Sequence, residues 1–234
     1  MTSVHDASSG TPLDNPVWHA LTGPHAHFAW LNGDTRRYRP DVAPFCAVAD
    51  PASDDLAGLP GLVSPGGTGA IVATVPVMAP SGLRIAMAAE VLQMACESFR
   101  PHDVAHDLVP LTDADVPDML ALVELTHPGP FAARTIEMGR YLGLKREGKL
   151  VAMTGERMRL AGFTEVSAVC VHPDARGQGL AKVLVSAVTQ NIVARGETPF
   201  LHVYPDNVPA IATYEAIGFT ARRQLHFTVF EKAE

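Results

Sequence analysis

Apolar positions recur along this chain at two spacings, and the switches between them mark its elements. Over residues 180–194 they fall at Leu180, Val183, Leu184, Ala187 and Val188, one face of a helix, and Gly196 just beyond suits a left-handed terminating turn. Just upstream, Val169, Cys170 and Val171 form an apolar run suited to a buried strand, which His172-Pro173-Asp174 ends because proline cannot donate to a sheet ladder. The same reading gives strands at 45–49, 70–75 and 83–87, a short helix at 54–62, and a segment at 91–96 that fits strand or helix equally. Further on, 108–111 reads as a strand, and Thr112-Asp113 cap a helix through Met119, Leu122 and Val123 that His127-Pro128-Gly129-Pro130 break. A second helix is expected at 131–142, then strands at 142–146 and 150–160 turning at Glu147-Gly148, and a strand at 162–171. After the long helix come a strand at 200–204, a short helix capped by Asp206-Asn207 and closed by Gly218, and strands at 219–223 and 225–230.

Helices separating strands in this way predict an α/β sandwich around a central, mostly antiparallel sheet. The pattern lapses at 99–107, around Pro101, which places a domain boundary there: a smaller α/β region at 1–106 and a larger domain at 107–234. Residues 1–15 are small and polar and read as frayed until Pro16-Val17-Trp18. With 47% apolar and 18% charged residues, the chain belongs with globular proteins and not with disordered ones.

A net charge of −7 argues against nucleic acid as the main partner. Cys46, Cys96 and Cys170 are odd in number and scattered, which suits reduced core thiols in a cytoplasm better than disulfides or zinc. No apolar run reaches membrane-span length and the first ten residues lack the parts of a signal peptide, so the expectation is a cytoplasmic protein without a membrane partner. His25 with His27, and His102 with His106, lack the further ligands a metal needs, and no metal is expected.

The chemistry concentrates where the apolar run of Val169, Cys170 and Val171 passes through Arg176-Gly177-Gln178-Gly179 into the helix at Leu180. Glycines at a helix mouth let backbone approach a ligand while free N–H groups and the positive dipole end point at it, which suits phosphate. Lys182 stands where a dinucleotide fingerprint needs its third glycine, and no G-K-S/T follows for a mononucleotide loop. Arg176, Gly179 and Ala181 do meet the pattern Q/R-x-x-G-x-G/A, which resembles the acyl-CoA signature of the GNAT superfamily of N-acetyltransferases. NVPAIATYEAIGF, from Asn207 to Phe219, is similar to that superfamily's second signature at Asn207, Ala210, Ile211, Tyr214, Glu215, Gly218 and Phe219. The resemblance covers 107–234 and extends to a two-part subgroup whose N-terminal half looks like a degenerate companion.

The resemblance implies acetyl-CoA as co-substrate, lying between two splayed strands, those ending at Val171 and Tyr204. It places the diphosphate on the amides of Gly177, Gln178, Gly179, Leu180 and Ala181 beside Arg176. The pantetheine arm would pair with backbone at Val169, Cys170 and Val171, one of whose N–H groups would polarise the thioester carbonyl, and Asn207 would hold an amide of the arm. Transfer to an amine needs a neutral nucleophile and a proton for the departing thiolate. Tyr214 is the expected acid, and Glu165, on the strand leading to the loop, the expected base, directly or through water. Cys170 is not favoured as a covalent nucleophile. The expected reaction is direct acetyl transfer to a primary amine of a small molecule or peptide, with a homodimer as an open assembly. The competing reading is a catalytically silent acyl-CoA-binding module, and acceptor contacts are expected from residues 127–134 and the N-terminal half.

Overall fold

The computed structural model describes residues 10–52, 56–102 and 107–233. In chain order, α1 (Pro16–Leu21) leads to β1 (Ala29–Asn32), β2 (Thr35–Tyr38), β3 (Cys46–Ala47), α2 (Leu59–Leu62), β4 (Thr68–Ala73) and β5 (Leu83–Ala95). There follow β6 (Leu108–Pro110), α3 (Val116–Thr126), β7 (Tyr141–Arg146), β8 (Lys149–Leu160) and β9 (Phe163–Val171). The chain ends with α4 (Leu180–Val193), β10 (Thr198–Val203), α5 (Val208–Ile217) and β11 (Thr220–Lys232).

Strands β1 to β3 form a small sheet, and the other eight form one large sheet in the order β4-β11-β5-β10-β9-β8-β7-β6. Every pair in it is antiparallel except β9 with β10. One face packs on α4 and α5 through Val185, Val188, Ile192, Leu201, Tyr214, Ile217 and Phe219. Successive residues of β10 point to opposite faces, so Phe200 joins the other side, where Leu13, Val17, Leu21, Tyr38, Phe45 and Phe227 pack. Next to that cluster α3 lays Met119 and Leu122 on Tyr141, Met153 and Cys170. No helix among the described residues is long and apolar enough to cross a membrane.

The boundary expected at 106/107 does not divide the sheet. β5 lies between β10 and β11 and pairs with both, with Phe200 opposite Ala95 on one side and Val229 opposite Met87 on the other. The N-terminal region therefore supplies interior sheet as well as a covering layer. Its strand is needed because β10 and β11 would otherwise lie apart with unpaired backbone between them. Residues 107–234 expressed alone should fail to fold cooperatively, and a sharp thermal transition by circular dichroism in that fragment would show the opposite.

Three segments differ locally from the pattern. The helix expected at 131–142 is only a 3-10 turn, Thr135–Met138, followed by strand. Gly139 explains the stop: a β-carbon there would lie 2.5 Å from that of Glu156, so the chain passes too close to β8 for a helix with side chains. The strand at 83–87 and the segment at 91–96 that fitted strand or helix form the single long strand β5, and the strands at 219–223 and 225–230 form β11, the pair kept continuous through register shifts. Within the expected helix at 54–62 the structure shows Leu59–Leu62; 54 and 55, like His106 and residues 1–9, lie outside the described residues.

Candidate active site

β9 and β10 pair only at Phe163 with Thr198, Thr164 with Pro199, and Glu165 with Phe200. Beyond Phe200, β10 pairs with β5 alone and β9 with β8 alone, so the two neighbours splay apart. β9 also carries one extra residue: Gly155 faces Ser167 and Met153 faces Cys170, two steps on β8 against three on β9. Ala168 takes up the excess at φ 51, a left-handed conformation costing a side-chain-bearing residue about 1–2 kcal/mol. A bulge of this kind leaves a backbone group out of the ladder, here beside the open splay.

At the end of β9, Pro173–Ala175 make one 3-10 turn and Arg176 runs extended into the glycine loop. Gly177 and Gly179 stand at φ 76 and 74, where glycine carries no β-carbon penalty, and Gly179 is the N-cap of the 14-residue α4. Residues 176–179 are exposed. Among the described residues no amide from 177 to 182 donates a backbone hydrogen bond, so the loop presents several free donors at the positive end of α4. Arg176 Nε donates to Val171 O at 3.4 Å, and Arg146, at the end of β7, donates from Nη2 to Gln178 Oε1 at 2.7 Å. Neither Arg146, Arg176 nor Lys182 has a carboxylate within ion-pair distance among the described residues.

Across the splay, Asn207 caps α5 by accepting from Ala210 N through Oδ1 at 3.3 Å, which leaves its Nδ2 donors for a ligand. Tyr214 lies two turns further along the helix, buried against Phe219. Burial, and then the nearby Cys170 thiol on β9, push its phenol up to about 12. Cys170 is itself pushed up to about 11, chiefly by burial, so it is a thiol and a poor nucleophile at neutral pH. The structure thus packs Val169 with Tyr214, and the loop at 176–179 follows β9 and Asn207 follows β10 at the ends where the two strands diverge.

Glu165 sits elsewhere. Its side chain is fully buried on the sheet face opposite α4 and α5, where Oε2 accepts from Arg157 Nε at 2.8 Å and Oε1 from Arg157 Nη2 at 2.7 Å. Oε2 also accepts from Met158 N at 3.3 Å, and Oε1 is 2.8 Å from His202 Nδ1. Burial alone would raise its pKa, but the Arg157 charge and hydrogen bonds, with those of His202, bring it down to about 2. A carboxylate so held is a very weak base, and the expectation that Glu165 itself takes the amine proton is corrected: its lone pairs are already committed.

The polar chain continues. Gln93 Oε1 accepts from Arg222 Nη1 at 2.8 Å and its Nε2 donates to Leu13 O at 2.8 Å, which fixes the orientation of the amide. Nε2 is also 3.1 Å from His202 Nε2, which must then accept, so the ring hydrogen is on Nδ1 and is donated to Glu165. Arg222 Nη2 reaches Asp14 Oδ1 at 2.8 Å, so the network ties the N-terminal segment to the sheet. Arg146, Arg157 and His202 were not singled out from the sequence. No spacing in the sequence signals the pair of Arg157 with Glu165, because a register shift on β8 between Glu156 and Arg159 brings them together.

The FR47-like protein family matches residues 141–228, from the start of β7 into β11. The [ribosomal protein bS18]-alanine N-acetyltransferase of Escherichia coli is 31% identical over 127 residues, half of this chain and 85% of that one. The solved structure of a GNAT-family protein from Novosphingobium aromaticivorans is 40% identical and superposes with a TM-score of 0.90, covering 96% of this chain and all of the other. The chain belongs to the GNAT family of acetyltransferases. A GCN5-related N-acetyltransferase from Kribbella flavida shares the fold, at 14% identity and a TM-score of 0.61 over 94% of this chain and 96% of that one. The mycothiol acetyltransferase of Saccharomonospora viridis is 37% identical over 90 residues, 35% of this chain but 29% of that protein, so this GNAT chain aligns with under a third of that relative. The relation to the Novosphingobium aromaticivorans structure spans the N-terminal region as well, consistent with β4 and β5 being part of the sheet.

Proposed function

We propose that this GNAT protein transfers the acetyl group of acetyl-CoA directly to a primary amine. The observation that carries the reading is the splay of β9 from β10, which opens beside the free amides of 177–182 and is flanked by Tyr214. In this reading the amides of Gly177, Gln178, Gly179, Leu180 and Ala181, with Arg176, hold the diphosphate. The unpaired edge of Val169, Cys170 and Val171 accepts the amide-rich arm as an added strand, and Asn207 Nδ2 holds one of its amides. A backbone N–H freed by the bulge at Ala168 polarises the thioester carbonyl, and the Tyr214 hydroxyl gives the departing thiolate its proton. Glu165 acts at one remove, holding Arg157 and the tautomer of His202.

The test is thiol release from acetyl-CoA with a panel of small amines, polyamines, amino acids and peptides, including alanine-first peptides because the Escherichia coli relative is named for an alanine acceptor. Steady turnover with at least one amine supports the reading. Tight acetyl-CoA binding with no turnover on any of them would leave the silent binding module instead.

A further inference from the structure

The glycine loop and Arg176 account for one diphosphate, and a cation remains. Arg146 reaches the loop from β7, on a different part of the sheet, and touches it through the side chain of Gln178 and not through backbone. Its guanidinium is therefore held at the Gln178 side chain, clear of the backbone donors of the loop. One of its five N–H donors goes to Gln178. No carboxylate lies within ion-pair distance of it among the described residues, although Glu147 follows it in sequence, and its cross-strand partner is another cation, Lys149. Among the described residues half of the arginines and lysines find carboxylates, Lys145 next to Arg146 among them, while Arg146 and Lys149 do not. Two adjacent cations left without acids, one of them aimed at a phosphate loop by a neutral amide, form a place for a second anionic group on the same ligand.

On the reading of the preceding subsection that ligand is coenzyme A, which carries a phosphate monoester on its ribose, outward of the diphosphate. We propose that Arg146, positioned by Gln178, recognises the 3′-phosphate of the cofactor and so sets preference for coenzyme A over its dephospho form. A fork of parallel N–H donors matches a phosphate better than the point charge of a lysine, and a neutral amide holds the guanidinium without neutralising it.

Calorimetric titration of the full chain with CoA and with dephospho-CoA tests this. Wild type should bind CoA several-fold to roughly tenfold more tightly, the range of one added charge-assisted contact at an exposed site. Arg146→Gln should weaken CoA to the level of dephospho-CoA and leave dephospho-CoA unchanged. Gln178→Ala should lower the ratio of the two affinities in the same direction by releasing the guanidinium. Equal binding of both nucleotides by wild type overturns this inference alone, and so does an Arg146→Gln protein that loses both equally or neither. If wild type binds neither nucleotide, the acetyl-CoA reading fails and takes this one with it.

Discussion

Glu165→Ala should destabilise the protein by about 3–5 kcal/mol, the usual result of removing one partner from a buried ion pair. The change would leave the Arg157 guanidinium, stacked 4.9 Å over the Phe45 ring, without its counter-charge, and would strip acceptors from Met158 N and His202 Nδ1. Chemical denaturation at neutral pH measures it. A loss under 1 kcal/mol, with turnover abolished, would restore Glu165 as a solvent-reaching base. The Glu165→Leu/Arg157→Met pair should recover most of the lost stability, because no charge is then left in the core. The same carboxylate ties stability to acidity. Its folded pKa of about 2 lies below the ordinary 4.5, so on acidification the unfolded chain takes up the proton first. Its contribution, roughly 3 kcal/mol by linkage, is complete above pH 4.5, falls between 4.5 and 2, and is gone below that. The denaturation midpoint of wild type should drop more between pH 5 and pH 3 than that of the Leu/Met pair.

Tyr214→Phe should lower turnover at saturating acetyl-CoA by roughly 10²-fold, the lower end for a positioned acid, while acetyl-CoA affinity holds. The ring and its packing on Phe219 survive the change and only the hydroxyl goes. With its pKa pushed up to about 12, the phenol keeps its proton through the whole working range, so no loss of activity below pH 10 belongs to Tyr214. Turnover of the Phe variant within twofold of wild type would remove the residue from the mechanism, and a collapse seen only in Tyr214→Ala would assign it to packing.

The parts of the site that were legible are local ones. Strand, glycine loop and helix occupy one short run from Phe163 to Val193, and Asn207, Tyr214 and Gly218 belong to one helix and its caps, so their spacing survives in the chain itself. Glu165 was legible as a site-side carboxylate but not as an ion-paired one. Its partners come from β8 and β10, and the register shift between Glu156 and Arg159 changes which residue of β8 it meets. Arg146 escaped because its relation to Gln178 crosses 32 residues through β7. The continuity of β5 was hidden for a related reason. Residues 84–88 and Glu90 are exposed whether apolar or charged, so alternation fades in the middle of a strand that backbone pairing with β11 holds together. At 131–142 helical spacing was real, but the close approach of Gly139 to β8 overrode it.

The position of β5 also governs the order of events during synthesis. Its residues leave the ribosome well before those of their long neighbour β11, Thr220–Lys232. At ordinary elongation rates the stretch between Ala95 and Thr220 takes roughly 6–25 s to emerge, and through that interval one edge of β5 has no mate. The nascent protein must therefore keep an extended strand from aggregating until β11 arrives, and closure of the sheet carries a high contact order.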